Sequence, residues 1–101
     1  MKILITSTAE VDLEEIEAYI SSDNPAAAVR FLNRLSERFQ LIADMPGVGR
    51  RREIFGRGVR SLAEGNYVIV YRVKTETVEI LRVLHGAQDP ERVIRESPIE
   101  E

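Results

Sequence analysis

Apolar side chains recur at helical spacing through the first half of this sequence and form two successive stripes. The stripes consist of Ala9, Leu13, Ile16 and Ile20, and then of Ala28, Leu32, Leu35, Phe39 and Ile42. Charged and polar residues fill the positions between them, which is the pattern of a helix with one face on a core. Because only a short linker separates the two segments, the pattern predicts an antiparallel helical hairpin.

Local signals bound the first helix. Lys2 to Thr6 has the composition of a short strand, and the following Ser7-Thr8-Ala9-Glu10 has the spacing of a capping box. In a capping box two side chains satisfy exposed amide donors at a helix start, so we predict a helix that begins near Thr8 and ends near Ser22.

Asn24-Pro25 marks the start of the second helix, because Asn caps well and proline at the first helical position loses no needed amide bond. Met45-Pro46-Gly47 predicts its end at about Asp44, since proline disfavours helical geometry in the residue before it. From Gly47 to Gly58 the glycines and arginines follow no period, which favours an exposed and partly mobile loop.

The remaining sequence is rich in β-branched and aromatic residues and predicts three strands, Val59 to Leu62, Tyr67 to Val73 and Val78 to Leu84. Turns at Glu64-Gly65-Asn66 and at Thr75-Glu76 separate these strands. The predicted order is β-α-α-β-β-β. This is an α+β fold, with an N-terminal helical hairpin packed on a small, mainly antiparallel sheet, in a single domain of residues 1–101.

The turn at Thr75-Glu76 also predicts a register for the last two strands. Arg72 then lies opposite Glu79, where a cross-strand ion pair is expected, and Tyr71 lies opposite Ile80. One face of the pair carries Tyr67, Ile69, Tyr71, Val73, Val78, Ile80, Arg82 and Leu84. The other face carries Val68, Val70, Arg72, Glu79, Leu81 and Val83. Both faces are largely apolar.

A helical hairpin covers only one face of so small a sheet, so the second apolar face needs a cover of its own. In one interpretation the tail folds back as a short C-terminal helix, with Asp89 as its cap, Pro90 at its start, and Val93 and Ile94 turned inward. In the other interpretation a partner protein supplies part of the cover. The sequence leaves both open.

Composition limits the compartment and the chemistry. The 101 residues are 44% hydrophobic and 31% charged, as in a globular domain, and they include no cysteine. Disulfides and thiolate nucleophiles are therefore excluded, and a reducing cytosol suits the chain. No segment approaches the ~18 apolar residues of a membrane span, and the N-terminus turns polar at Thr6-Ser7-Thr8, too early for a secretory signal. We expect a cytoplasmic protein without membrane contact.

The net charge of −3 argues against a general nucleic-acid binder, and no sequence-specific nucleic-acid binding is expected. The charge is unevenly distributed, however. One short stretch contains five arginines opposed only by Glu53, namely Arg50, Arg51, Arg52, Arg57 and Arg60. This stretch is a candidate docking surface, and a solvated loop is the alternative interpretation.

The ordered motifs of the sequence resemble those of the ParE branch of the RelE/ParE toxin superfamily. The helical half contributes Asp12-Leu13-x-x-Ile16-x-x-Tyr19-Ile20, Asn24-Pro25-x-Ala27-Ala28 and Phe31-Leu32-x-x-Leu35. The second half contributes Pro46-Gly47-x-Gly49-Arg50, Val59-Arg60-Ser61, Tyr67-Val68-Ile69-Val70-Tyr71-Arg72 and Ile80-Leu81-Arg82-Val83-Leu84-His85-Gly86-Ala87. The resemblance covers roughly residues 3 to 89 and departs from the family pattern at Gln88 and Pro90.

This resemblance implies the toxin of a type II toxin-antitoxin pair, of the kind associated with plasmid stabilisation, neutralised by a cognate antitoxin with a disordered segment that folds along the toxin. ParE toxins inhibit DNA gyrase and trap it on cleaved DNA, whereas RelE-type relatives on the same fold cut messenger RNA at the ribosome. Gyrase inhibition by protein binding is the main expectation. A ribosome-dependent messenger RNA endonuclease and a degenerate, non-toxic family member are the alternatives.

The endonuclease alternative needs a proton carrier and cations near the phosphate. His85 is the single histidine, and Arg60 and Arg82 are candidate cations. The competing interpretation of His85 is a strand-end residue whose ring bonds a backbone carbonyl at the Gly86-Ala87 turn. No tyrosine or lysine follows His85, although ribosome-dependent relatives typically carry such residues there. The main expectation therefore includes no catalytic residue.

The candidate contacts to target or antitoxin are Arg50, Arg51, Arg52, Arg57, Arg60, Tyr71, Arg72 and Arg82. An apolar antitoxin peptide is expected in a groove beside the sheet and the helical hairpin. Glu10, Glu14 and Glu17 lie at helical spacing, but a solvated helix face accounts for them better than a metal site does. No metal and no other cofactor is expected.

Overall fold

The computed structural model describes residues 1–100. Its helices and strands are β1 (Lys2–Ile5), α1 (Ser7–Ser21), α2 (Pro25–Asp44), β2 (Arg50–Arg51), β3 (Val59–Glu64), β4 (Tyr67–Val73), β5 (Thr77–His85) and α3 (Pro90–Glu96). The strands form one sheet in the order β1-β5-β4-β3-β2, in which β1 is parallel to β5 and the other pairs are antiparallel. The predicted α+β architecture is confirmed; α3 is the C-terminal helix of the first interpretation of the tail, and only β2 was not predicted.

Helix α1 begins one residue earlier than predicted, and its cap is a different residue. The Thr6 hydroxyl, not that of Ser7, accepts the hydrogen bond from the Ala9 amide, at 3.2 Å. The same hydroxyl donates to the carbonyls of Ile80 and Leu81. The Thr6 side chain therefore both binds the end of β1 to β5 and caps the first turn of α1.

Helix α2 has the predicted bounds. The Asn24 side chain accepts from the Ala27 amide at 3.1 Å, and Pro25 occupies the first turn. Both apolar stripes of the hairpin face one side of the sheet. The core on this side is formed by Ala9, Phe31, Leu35, Phe39, Ile42, Ala43, Ile69, Tyr71, Val78, Ile80 and Val83.

The register of β4 and β5 agrees with the prediction near the turn and departs from it farther along. Arg72 pairs with Glu79 and Tyr71 with Ile80, but Val70 pairs with Arg82, so Leu81 is an extra residue in a β-bulge. Beyond the bulge the alternation of faces is reversed. Val83 packs on the hairpin side and Leu84 on the opposite side, so the predicted faces of these two residues were wrong.

The second face of the sheet is covered by the chain itself. Phe55 and Ile94, from outside the sheet, pack there on residues of β3, β4 and β5, namely Val59, Val70, Leu81 and Leu84. Helix α3 follows the predicted pattern, because the Asp89 side chain accepts from the Arg92 amide and Ile94 is buried. The interpretation that the tail folds back is thereby confirmed, and a partner is not needed to cover this face.

The stretch from Gly47 to Gly58 is more ordered than predicted. It contains the short strand β2 and two 3₁₀ turns, at Pro46–Val48 and Glu53–Phe55, and Phe55 is buried against the second face of the sheet. The loop was predicted because the stretch has no hydrophobic period, but 3₁₀ turns and a two-residue strand are too short to produce one. Within residues 1–100, no helix combines the length and the apolar character needed to cross a membrane.

Candidate functional site

A buried ion pair joins helix α1 to strand β5. The two carboxylate oxygens of Asp12 accept from Nε and Nη2 of Arg82, at 2.8 and 3.0 Å, and Oδ2 also accepts from the Val83 amide. Asp12 is 7% exposed. Hydrogen bonding to Asp12 raises the pKa of the Arg82 guanidinium above its usual value. Arg82 was predicted as a binding or catalytic cation, but its guanidinium is already engaged within the protein.

His85 ends β5, and its ring contacts an amide rather than the predicted carbonyl. The ring Nδ1 accepts from the Ala87 amide at 3.0 Å, while the His85 amide donates to the Gln88 side chain at 2.9 Å. The Tyr67 ring lies edge-on to the imidazole, with centroids 4.9 Å apart. An accepting Nδ1 carries no proton, so a neutral His85 carries its proton on Nε2.

The three residues of the endonuclease alternative do not come together, because Arg82 and His85 line one cleft and Arg60 lines another. Arg60 on β3 pairs with Tyr71, whereas His85 on β5 pairs with Tyr67, at the far end of β4. Arg82 is held by Asp12 on α1. A proton carrier and two cations around one phosphate would require all three groups in one place, and the sheet register keeps Arg60 away from His85.

A cleft of about 460 Å³ lies between α1 and the last residues of β5, and we refer to it as the helix–strand cleft. It is lined by Asp12, Glu15, Ile16, Tyr19, Tyr67, Arg82, Val83, Leu84, His85, Gln88 and Val93. β1 pairs only with Thr77 to Ile80, so α1 rather than a strand borders β5 here. Tyr19 lines this cleft with 74% of its surface exposed, although aromatic side chains usually bury much of their surface.

Tyr71 is a buried anchor and not a surface contact, which corrects its prediction as a binding residue. Its hydroxyl donates to the Pro46 carbonyl at 2.7 Å and accepts from the Gly49 amide at 2.8 Å. Burial raises the pKa of this phenol, and the Gly49 amide and the nearby Arg60 oppose that rise. The two bonds fix the turn that leads into β2.

The five predicted arginines occupy three different settings. Arg51, Arg57 and Arg60 line a cleft of about 430 Å³ together with Pro46, Gly47, Glu53, Gly58 and Val73, and we refer to it as the arginine cleft. Arg50 is exposed and does not line this cleft. Arg52 lies elsewhere, with its guanidinium 4.3 Å from the Phe55 ring centre and 3.0 Å from the Glu91 carboxylate. Arg52 thus helps to hold the tail.

Arg72 is buried and does not form the expected ion pair with Glu79, although the two residues are opposite each other. Its Nε donates to the Arg57 carbonyl at 3.3 Å and its Nη1 to the Glu100 carbonyl at 3.1 Å. Glu79 is on the same face but is not among its partners. Arg72 therefore connects the tail to the sheet and is not available as an exposed binding residue.

Sequence reasoning missed the ion pair of Asp12 and the position of Tyr19 at the helix–strand cleft. Asp12 had a readable signal, because it follows Ala9 by three positions and precedes Ile16 by four, which places a carboxylate on the inward side of the helix. Tyr19 had none beyond the resemblance. Glu10 and Glu14 are exposed, as expected of a solvated face, and Glu17 is half-buried. Among residues 1–100, no three acidic or histidine side chains group as metal ligands would.

The chain is similar in sequence to known toxins. The family model for the ParE toxin of the type II toxin-antitoxin system, parDE, matches residues 3–90. Toxin ParE1 of Caulobacter vibrioides is 34% identical over 86 residues, which span 84% of this chain and 88% of that protein.

Two solved structures share the fold. The chromosomal ParDE toxin-antitoxin system from P. aeruginosa superposes with a TM-score of 0.70 at 25% identity, covering 84% of this chain and 95% of the matched chain. The toxin-antitoxin complex RelBE2 from Mycobacterium tuberculosis gives a TM-score of 0.55 at 35% identity, covering 83% and 95%. The resemblance drawn from the motifs is confirmed.

Proposed function

The chain belongs to the ParE toxin family of type II toxin-antitoxin systems, and from this premise we propose that it acts in the cytoplasm by binding and inhibiting DNA gyrase, without catalysing a reaction of its own. A cognate antitoxin neutralises it by occupying part of its surface. The alternative within the superfamily, cleavage of messenger RNA at the ribosome, requires an acid, a base and cations at one phosphate.

The observation that carries this proposal is that two of the candidate catalytic groups are engaged within the protein and the third lies apart from them. Nδ1 of His85 is occupied by the Ala87 amide, Arg82 is occupied by Asp12, and Arg60 lies on another strand at the other end of the sheet. Arg82 could contact a phosphate with its Nε and Nη2 only if the Asp12–Arg82 pair were broken. Binding surfaces, in contrast, are present on both sides of the molecule.

The helix–strand cleft is the surface that we propose for the antitoxin. Its floor is apolar, with Ile16, Val83 and Leu84, and Tyr19 and Tyr67 supply aromatic side chains. Amphipathic peptides bind such grooves through a few apolar anchors, and the aromatic residues of a groove carry much of the binding energy. Exposed Glu10, Glu14 and Glu15 lie along the same helix, so a peptide with basic residues beside its apolar anchors fits this surface.

Added to DNA gyrase with relaxed plasmid, the purified chain is expected to abolish supercoiling and to accumulate cleaved DNA. The His85→Ala variant should inhibit equally, because His85 has no catalytic role in this proposal. Supercoiling should return when the cognate antitoxin is added before gyrase. A folded chain that leaves gyrase active and instead arrests translation, with loss of that arrest in His85→Ala, would move the function to messenger RNA cleavage.

Replacing Tyr19 with alanine is expected to weaken antitoxin binding at least tenfold, because truncation of an aromatic anchor typically costs more than about 2 kcal/mol of binding free energy. Isothermal titration calorimetry measures the effect. Since Tyr19 is 74% exposed, its removal should leave the melting temperature nearly unchanged. The matched control is Ile54→Ala, which truncates a side chain that is 69% exposed but lies outside this cleft. Equal affinities for both variants would exclude the helix–strand cleft.

A further inference from the structure

The arginine cleft places two like charges directly opposite each other. Arg51 on β2 and Arg60 on β3 are register partners, and Arg57 lines the same cleft. Like charges at opposed positions of an antiparallel pair destabilise the sheet, so this arrangement costs folding free energy. Such a cost is characteristic of a surface that serves binding rather than stability.

Acidic residues do not neutralise these arginines, although acidic residues outnumber basic ones, 17 to 14. The ion pairs among residues 1–100 involve Arg34, Arg38, Arg52 and Arg82 instead. Glu53 is the one acidic residue that lines the cleft, and its carboxylate accepts from the Gly58 amide at 3.3 Å. Three cations against one carboxylate leave the cleft positive on a protein of net negative charge.

The cleft is also preorganised. Nη1 of Arg60 donates to the Gly49 carbonyl at 2.8 Å, and Tyr71 holds the Gly49 amide and the Pro46 carbonyl from below. Arg60 is therefore fixed before any ligand arrives, which lowers the entropy lost on binding. Guanidinium groups suit this role, because their planar donors match phosphate oxygens in pairs.

We propose that the arginine cleft binds the phosphodiester backbone of double-stranded DNA without reading its sequence. Pro46 and Val73 are the apolar residues of its lining, which lacks the aromatic residues that are enriched at protein-binding surfaces. It also lacks an aromatic side chain on which unstacked bases would rest, and this favours duplex over single-stranded nucleic acid. Arginine contacts to phosphate position a protein on a duplex and carry no sequence information.

The net charge of −3 makes this binding weak for the isolated chain, because the rest of the surface repels DNA. The biological consequence rests on the proposed function, since gyrase would present its bound DNA at high effective concentration to a toxin docked on the enzyme. The cleft then adds a contact that exists only when gyrase holds DNA. Retention of gyrase on cleaved DNA follows from such a contact.

Nuclear magnetic resonance titration of the full chain with a duplex oligonucleotide, at about 50 mM salt and above, tests the proposal. Amide shifts should concentrate at Gly47 and Gly58, which line the cleft. In Arg51→Gln/Arg57→Gln the slope of log affinity against log salt should be shallower by about 0.9 for each lost contact. The control Arg30→Gln/Arg92→Gln removes the same charge from exposed positions on α2 and α3 and should bind like the wild type.

Glu53→Gln should bind DNA more tightly, because it removes the one carboxylate that lines the cleft. Absence of shifts in the wild type, shifts elsewhere, or equal slopes for both double variants would overturn the proposal. If polyglutamate displaced the duplex oligonucleotide as effectively as unlabelled duplex does, the cleft would be assigned to an acidic protein segment instead. Gyrase assays distinguish failure of the DNA-contact proposal from failure of the gyrase proposal. If the Arg51→Gln/Arg57→Gln variant inhibits gyrase as well as the wild type does, the proposed role of the DNA contact is wrong. If neither protein inhibits gyrase, the proposed function is wrong.

Discussion

Replacing Asp12 with alanine is expected to lower the free energy of unfolding by about 3–5 kcal/mol, because the change leaves the Arg82 guanidinium buried without its counter-ion. The carboxylate forms two hydrogen bonds to Arg82 and one to the Val83 amide, and all three are lost together. A buried charge without a partner retains its desolvation cost in full. Chemical denaturation of the wild type and the variant measures the difference.

Glu14→Ala is the matched control for this prediction. Glu14 lies on the same helix but is exposed, so its loss should change stability by no more than about 0.5 kcal/mol. In the double variant Asp12→Ala/Arg82→Ala the loss should be smaller than the sum of the two single losses, since neither charge then remains unpaired. A small effect of Asp12→Ala, or strictly additive losses, would contradict the assignment of this pair as a structural connection.

The pair also has a functional consequence. Asp12 and Arg82 join the two walls of the helix–strand cleft, one on α1 and the other on β5. We therefore expect Asp12→Ala to reduce antitoxin binding as well as stability, whereas Tyr19→Ala reduces binding alone. This contrast separates a residue that builds the cleft from one that contacts the ligand.

The second large effect is expected from Gly49→Ala. A Cβ at this position would lie 2.6 Å from the Tyr71 hydroxyl oxygen, 2.7 Å from its Cε1 and 2.8 Å from the Ser61 carbonyl oxygen. Tyr71 is fully buried and Ser61 contributes backbone, so neither group moves cheaply. Overpacking of this kind typically costs about 1–3 kcal/mol, and here it would also break the Tyr71 bond to the Gly49 amide.

Gly47→Ala is the matched control, because a Cβ at Gly47 meets nothing within 4 Å. The two variants add the same methyl group within one turn, so thermal denaturation of both isolates the steric effect. We expect Gly49→Ala alone to lower the melting temperature. Equal melting temperatures would mean that the turn relaxes freely and that Tyr71 does not hold the arginine cleft in place.

Much of the fold is encoded in short stretches of sequence. Asn24 and Pro25 start α2, and Pro46 follows its end, because caps and proline act on their own and neighbouring residues. The tight turn after β4 likewise sets Arg72 opposite Glu79, as predicted. The motifs that resemble the ParE family are local in the same way, since each one covers only a short run of neighbouring residues and they follow one another in order.

The candidate sites depended on contacts between distant positions. The basic stretch was visible in the sequence, but only β2 pairing with β3 places Arg51 beside Arg60 and sends Arg52 to Glu91. The extra residue Leu81 reversed the predicted faces of Val83 and Leu84. Side chains alternate between the two faces of a sheet, so one inserted residue moves each later side chain to the opposite face.

The sequence by itself determined the order of all the main elements except β2, the bounds of α2 and β4, and the family, because each depends on neighbouring residues. Only the tertiary structure decided that Asp12 closes on Arg82, 70 positions away, that Tyr71 is an anchor for Gly49, and that the tail covers the second face. These contacts form between side chains that the chain brings together only on folding. Their geometry depends on packing, which no periodicity along the sequence records.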